Sequence, residues 1–210
     1  MINIVIKESD ALFKIGLKWF FTEVFFKEVR GDFLFHSEFT ADAINSADVV
    51  VISLCPGESF VCYPELKARR KGIVIGLVDD VERSSVYPSC FQDIVFISKR
   101  ATLSHLKNVV LTAWMRSQSP GRQKLNFSCF ECQQKSLSPK QVKIMAGLCQ
   151  GKTIQKIAEE LNISEKTVFT HKYMVMRKFN LRSDRELLML LKRMAEIYSW
   201  PNVFHVTLRD

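Results

Sequence analysis

Residues 151–172 read GKTIQKIAEELNISEKTVFTHK, and this stretch decides the fold of the C-terminal part of the chain. Ile154, Ile157, Ala158 and Leu161 recur at i, i+3, i+4 and i+7, the spacing that lines one face of an α-helix. Asn162 and Ile163 interrupt that period. Ser164, whose hydroxyl can accept an unpaired backbone N–H, then opens a second helix running to about Phe179. Ala158 is small where the two helix backbones must approach, while Ile163 and Val168 can fill the space beneath the turn. Val168 and Met174 are expected in the core. Two helices joined by so short a turn, with cations and hydroxyls on the second, have the form of a helix-turn-helix.

The flanks extend the helical reading. Ser138 followed by Gln141 has the spacing of a capping box, with Pro139 at the first helical position. The helix it opens ends at Gly151, a residue free to take a left-handed conformation at a helix C-terminus. A fourth helix is predicted over Arg182–Glu196, with Leu187, Leu188, Leu190, Leu191 and Met194 apolar. Between Leu137 and Arg193 there are twelve lysines and arginines against five acids, so most of the chain's net charge of +8 is concentrated there. Such a surface suits an anionic polymer such as nucleic acid.

These residues, from Leu137-Ser-Pro-Lys through Gly151–Lys172 to Arg177-Lys-Phe and Glu186-Leu187, resemble the LuxR/FixJ-type (NarL-like) DNA-binding domain of response-regulator transcription factors. The resemblance covers about 55 contiguous residues. Gln141 stands where that family usually has Glu, Phe179 where a smaller apolar residue is usual, and Asn180 where Gly is common. The resemblance implies that Lys166, Thr167, Thr170, His171 and Lys172 face duplex DNA, and that Thr153, Lys156 and Lys178 hold phosphates.

The first 117 residues alternate short apolar runs with amphipathic stretches, the pattern of a parallel α/β sheet. Strands are predicted at Ile2–Lys7, Asp32–His36, Ala47–Leu54, Lys71–Val78 and Asp93–Ser98, with helices over Ala11–Val29 and Ala101–Arg116. The expected architecture is therefore a flavodoxin-like domain with five parallel strands, followed by an all-α four-helix domain. The expected boundaries are 1–117 for the α/β domain, 118–136 for a polar linker containing Pro120-Gly121, 137–200 for the helical domain and 201–210 for a tail.

This α/β half is similar to a response-regulator receiver, beginning with Glu8-Ser-Asp-Ala-Leu-Phe and continuing to Leu17. The resemblance places the magnesium-binding acidic pair on Glu8 and Ser9, so one carboxylate is missing, with Asp10 as a partial substitute. It places the phosphoacceptor on Ser53, or on Ile52 in the other alignment, and neither is an aspartate. The switch hydroxyl falls on Gly76 or Leu77, and of this set only Lys99 is kept. Phosphoryl transfer needs a nucleophilic carboxylate, a metal held by others, and a hydroxyl and lysine to steady the oxygens. The reading is a degenerate phosphorylation site, a pseudo-receiver used for dimerisation or partner binding. The chain resembles RcsA-type accessory regulators, which implies a homodimer or a heterodimer with an RcsB-like response regulator.

Composition bounds the other readings. At 47% apolar and 11% aromatic the chain can bury a core. No apolar run reaches the roughly 18–20 residues of a membrane span, and Met1–Lys7 reads as a strand rather than a secretory leader, so a cytoplasmic protein with reduced cysteines is expected. Cys129-Phe-Glu-Cys132 is half of a metal site with no second CxxC and no His pair, so neither a metal nor another cofactor is expected. No catalytic constellation stands out, and an enzyme is not expected. The competing reading, a regulator whose α/β half binds a small ligand, finds no G-x-G-x-x-G phosphate loop among the eight glycines.

Overall fold

A computed structural model describes residues 1–28, 32–81, 87–119, 132 and 134–197. The chain divides into two compact units, one of residues 1–54 and 62–132, the other of residues 55–61 and 133–210. The expected linker over 118–136 falls mostly outside the described residues, as do Cys129 and the expected tail over 201–210.

The first unit is built on five parallel strands: β1 (Ile2–Lys7), β2 (Phe33–His36), β3 (Val49–Ser53), β4 (Ile73–Val78) and β5 (Val95–Ser98), in the order β2-β1-β3-β4-β5. This is the flavodoxin-like order, with its switch in strand direction of travel between β1 and β3. Every residue of β3 and β4 is buried, as an unbroken Val/Ile run demands when both faces of the sheet are covered. On one face Ile4, Ile6, Val49, Val51, Ile75 and Leu77 join Leu17, Phe21 and Phe25 of α1 (Ala11–Glu28) and Leu106 and Val110 of α3 (Leu103–Ser117). Because side chains alternate along a strand, Val5, Val50 and Ile52 turn to the opposite face and are also fully buried.

The predicted strands and the two long helices are all present, each strand trimmed by no more than two residues at an end. A short helix, α2 (Ala41–Ser46), was not anticipated; Thr40 caps it by accepting the Ala43 N–H at 3.3 Å. Six residues are too few to establish a hydrophobic period. Between β3 and β4 the described elements are 3-10 turns, at Glu58–Phe60 and Pro64–Ala68. Pro56 and Pro64, with the intervening aromatic and β-branched residues, disfavour a continuous α-helix there.

The second unit holds four helices: α4 (Pro139–Cys149), α5 (Ile154–Glu160), α6 (Glu165–Lys178) and α7 (Asp184–Ile197). Ser138 and Gln141 form the reciprocal capping box, at 3.3 and 3.0 Å. Thr153 and Ser164 cap α5 and α6 through their hydroxyls. Each such cap contributes about 1 kcal/mol. Gly151 adopts φ +74°, and Asn162 and Asn180 take φ +50° and +56° at the ends of α5 and α6. Asparagine is the non-glycine residue most at ease in that conformation, which explains its place where glycine is common. Ile144, Met145, Val168, Val175, Phe179, Leu187, Leu190 and Leu191 make the core between the helices.

Candidate nucleic-acid interface

The turn between α5 and α6 is closed by the Ile163 N–H donating to the Ala158 carbonyl at 3.0 Å, with Ala158 buried where the helices approach. Ser164 accepts the Thr167 N–H at 3.1 Å and fixes where α6 begins. Val168 and Val175, two turns apart, anchor the inner face of α6. Successive helical residues turn by about 100°, so Lys166, Phe169, Thr170, Tyr173 and Arg177 fall within an arc of roughly 100° opposite those valines. All five are exposed.

Of the residues expected on this surface, Lys166 projects freely into solvent. Thr167 is half-buried, its hydroxyl 2.8 Å from that of Ser164. Thr170 is exposed but donates its hydroxyl to the Lys166 carbonyl at 2.8 Å. His171 is half-buried, with Nδ1 enclosed and without a partner. The Lys172 ammonium is held by Asp184 at 2.6 Å, and Lys178 donates to the Ser136 carbonyl at 2.5 Å. Thr153 is exposed and spends its hydroxyl on the Lys156 N–H at 3.2 Å, while the Lys156 side chain is exposed. The structure thus places Lys166 and Thr170 together on the outward face and Thr167, His171 and Lys172 along its flanks.

Met174, expected in the core, is exposed instead, because it lies roughly 110° around the helix from the Val168–Val175 line. Sequence reasoning also missed Phe169 and Tyr173, which are 54% and 62% exposed. Their spacing of four residues, out of phase with the two valines, is the signal that could have placed them outside.

In the first unit the positions expected to form a receiver site, Glu8, Ser9, Ser53 and Lys99, end or follow β1, β3 and β5 at the C-terminal edge of the sheet. Ser53, the last residue of β3, is buried and hydrogen-bonds through its hydroxyl to Glu8 Oε2. The other Glu8 oxygen accepts the Asp10 N–H at 2.8 Å, and Asp10 in turn accepts the Phe13 N–H at 3.0 Å as the start of α1. Ser9 is exposed. Beside Ser53 in register stands Leu77, and beside Ile52 stands Gly76, so no hydroxyl occupies either switch position. The Lys99 ammonium lies 4.0 Å from Asp79. Among the described residues no group of three or more His, Cys, Asp or Glu side chains is arranged to hold a metal ion. No helix among them is long and apolar enough to cross a membrane.

Comparison with known proteins places these features. Residues 135–191 match the family model "Bacterial regulatory proteins, luxR family". The response regulator UvrY of Escherichia coli (strain K12) is 38% identical over 52 residues, which are 25% of this chain and 24% of that protein. A putative transcriptional regulator of Pseudomonas aeruginosa is 31% identical over 114 residues, 50% of this chain and 55% of that one. The chain therefore spans about a quarter of the first relative's length and about half of the second's. Among solved structures, RcsB in complex with DNA aligns with 91% of this chain and 98% of that one, at 19% identity and TM-score 0.52. RcsB from Salmonella enterica serovar Typhimurium, bound to promoter P1flhDC in the presence of phosphomimetic BeF3-, covers 90% of this chain and 97% of its own, at 19% identity and TM-score 0.54. At that identity the likeness is one of fold, a receiver-type sheet unit followed along the chain by a helical unit. The helix-turn-helix at residues 135–191 is a domain of the luxR family of bacterial regulatory proteins.

Proposed function

We propose that this chain is a sequence-specific DNA-binding transcription regulator in which α6 enters the major groove and the α/β unit is a receiver-like domain that accepts no phosphoryl group. The observation that carries the reading is the outward face of α6, capped at Ser164 and lined by Lys166, Phe169, Thr170, Tyr173 and Arg177. An isolated helix end of this kind fits the groove, where side chains reach base edges, and the surrounding cations meet phosphates. Thr153, Lys156 and Lys178 are assigned to the phosphates on either side, and Thr167, His171 and Lys172 to the edges of the contact.

The α/β unit, residues 1–117, would act through association, joined by the 118–136 linker to the DNA-binding domain at 137–200. Supporting this, α1 exposes Leu12, Ile15, Trp19 and Phe26 along one face, a large apolar surface for a protein exterior. RcsB, whose fold the chain shares, has been solved as dimers bound to DNA. The partner here would be a second copy or an RcsB-like response regulator, and the protein would work in the cytoplasm on the nucleoid. Loss of phosphorylation is supported by Ser53, whose hydroxyl is engaged by Glu8 in place of a nucleophilic carboxylate.

Fluorescence anisotropy with labelled duplexes at rising salt tests the reading. Affinity should fall linearly with salt on a logarithmic scale, and Lys166→Ala should weaken binding to all duplexes and reduce the salt slope by about one. Absence of duplex binding at low salt, or an unchanged slope for Lys166→Ala, would falsify it.

A further inference from the structure

We infer that Phe169 and Tyr173 are specificity-determining residues that read the 5-methyl groups of thymines, so that the preferred half-site is set largely by apolar contact rather than by hydrogen bonds. The inference rests on the placement of α6 in the major groove proposed above.

Several polar side chains of this helix are already engaged. Thr170 gives its hydroxyl to the Lys166 carbonyl, the Thr167 hydroxyl faces Ser164, and the Lys172 ammonium is held by Asp184. With its hydroxyl turned back onto the helix, Thr170 is left to present its methyl group outward. The large groups that remain on the outward arc are the rings of Phe169 and Tyr173, flanked by Lys166 and Arg177. No ring contact of either aromatic with another side chain occurs among the described aromatic pairs.

An exposed phenylalanine on a cationic surface is poorly placed in water and gains from an apolar partner. Of the groups that line a major groove, the thymine methyl is the apolar one, and apolar side chains are its usual readers. The charge around the rings selects a polyanion over an apolar protein surface: Lys166 and Arg177 share their arc, and Lys156 lies exposed on the preceding helix. Residues four apart are separated by about 6 Å along a helix axis, and base pairs by about 3.4 Å, so the two rings address positions one or two steps apart. The Tyr173 hydroxyl can also reach a phosphate, whereas Phe169 has no polar atom to offer. Phe169 is therefore the purer methyl reader.

The experiment uses the full chain. Duplexes are selected from a random library, then resynthesised with deoxyuridine in place of every thymidine, which removes the methyl groups and keeps the base pairing. The parent should select thymine-containing half-sites and bind the deoxyuridine duplex about tenfold more weakly. Phe169→Ala, an exposed substitution that leaves the core intact, should lose most of the difference between the two duplexes, and Tyr173→Ala a smaller part of it. Lys166→Ala should bind both more weakly while keeping the parent's ratio between them. Parent binding that is equal on the two duplexes, or a Phe169→Ala protein that retains the whole penalty, would overturn the inference while leaving DNA binding intact. A parent that enriches no duplex at all would overturn the inference together with the reading beneath it.

Discussion

The Lys172 ammonium lies 2.6 Å from the carboxylate of Asp184, the residue that begins α7. The pair ties the middle of α6 to the next helix and neutralises a cation on the edge of the surface assigned to DNA. Asp184 is largely exposed, so the pair contributes no more than about 1 kcal/mol to stability. Its larger effect is on charge. Lys172→Ala should lower DNA affinity by less than Lys166→Ala does, whereas Asp184→Ala should release Lys172 toward the backbone, raising affinity several-fold and steepening the salt dependence. Anisotropy at several salt concentrations measures both. Equal losses for the two lysine variants would mean that Lys172 exchanges Asp184 for a phosphate when DNA binds.

Ser53 occupies the end of β3 beside Glu8, and a carboxylate introduced there would meet another carboxylate at a buried position. Ser53→Asp should therefore lower the melting temperature, by an amount corresponding to about 1–3 kcal/mol, because two like charges that cannot both be solvated repel. Millimolar magnesium should restore part of the loss, since the cation neutralises both groups. Differential scanning fluorimetry with and without magnesium reads the effect. A variant as stable as the parent in the presence of a chelator would contradict the hydrogen-bonded placement of Ser53. In the parent, acetyl phosphate should label nothing at this site.

The C-terminal unit was the more legible of the two in sequence, because local rules and tertiary structure agree there. Ser138, Thr153 and Ser164 are capping residues by type and cap in fact, and Gly151 and Asn180 take the left-handed conformations their positions require. The five strands were legible because a run such as Val49–Ser53, buried on both faces, has no competing reading as a surface helix. Side-chain engagement was not legible. Nothing in the order of residues says that Lys172 would meet Asp184, twelve positions on, or that Thr170 would turn its hydroxyl back to Lys166. Met174 departs from its expected place in the core because each helical residue turns by about 100°, which carries it out of line with the buried Val175 beside it.

Cys62 and Cys90 lie with their sulfurs 3.9 Å apart inside the α/β unit. The hydrogen bond with Cys62 holds the Cys90 thiol below its ordinary ionisation range, assisted by the Tyr63 N–H at 3.5 Å and opposed by burial. Cys62 is pushed the other way, by its bond with Cys90 and by burial. Of the two, Cys90 should ionise first as pH rises. Cys62→Ala removes the main cause of the depression, so the Cys90 titration followed by thiolate absorbance should move up toward the usual thiol range. The depressed group adds stability that is present above the ordinary thiol pKa and is lost as pH falls through its own. The variant should accordingly show less gain in stability on passing upward through that interval. An unshifted titration would mean that the Tyr63 N–H, not Cys62, sets the Cys90 ionisation.

Trp19 is 74% exposed at the middle of α1, in line with Leu12, Ile15 and Phe26 at helical spacing. Gly16 lies on the same side with no heavy atom within 4 Å of where its side chain would begin, which leaves room for a second helix to come close. Buried aromatic anchors carry most of the energy of such contacts. Trp19→Glu should therefore raise the dissociation constant of the proposed dimer by about tenfold or more in sedimentation equilibrium, with little change in melting temperature, because the residue supports no core in the isolated chain. On DNA the same variant should lose affinity for a duplex with two half-sites one turn apart and keep its affinity for a single half-site. If the parent sediments as a monomer, the measurement is repeated with an RcsB-like response regulator added, and Trp19→Glu should then block that pairing. Association unaffected by the charge at position 19, with either partner, would move the interface off α1.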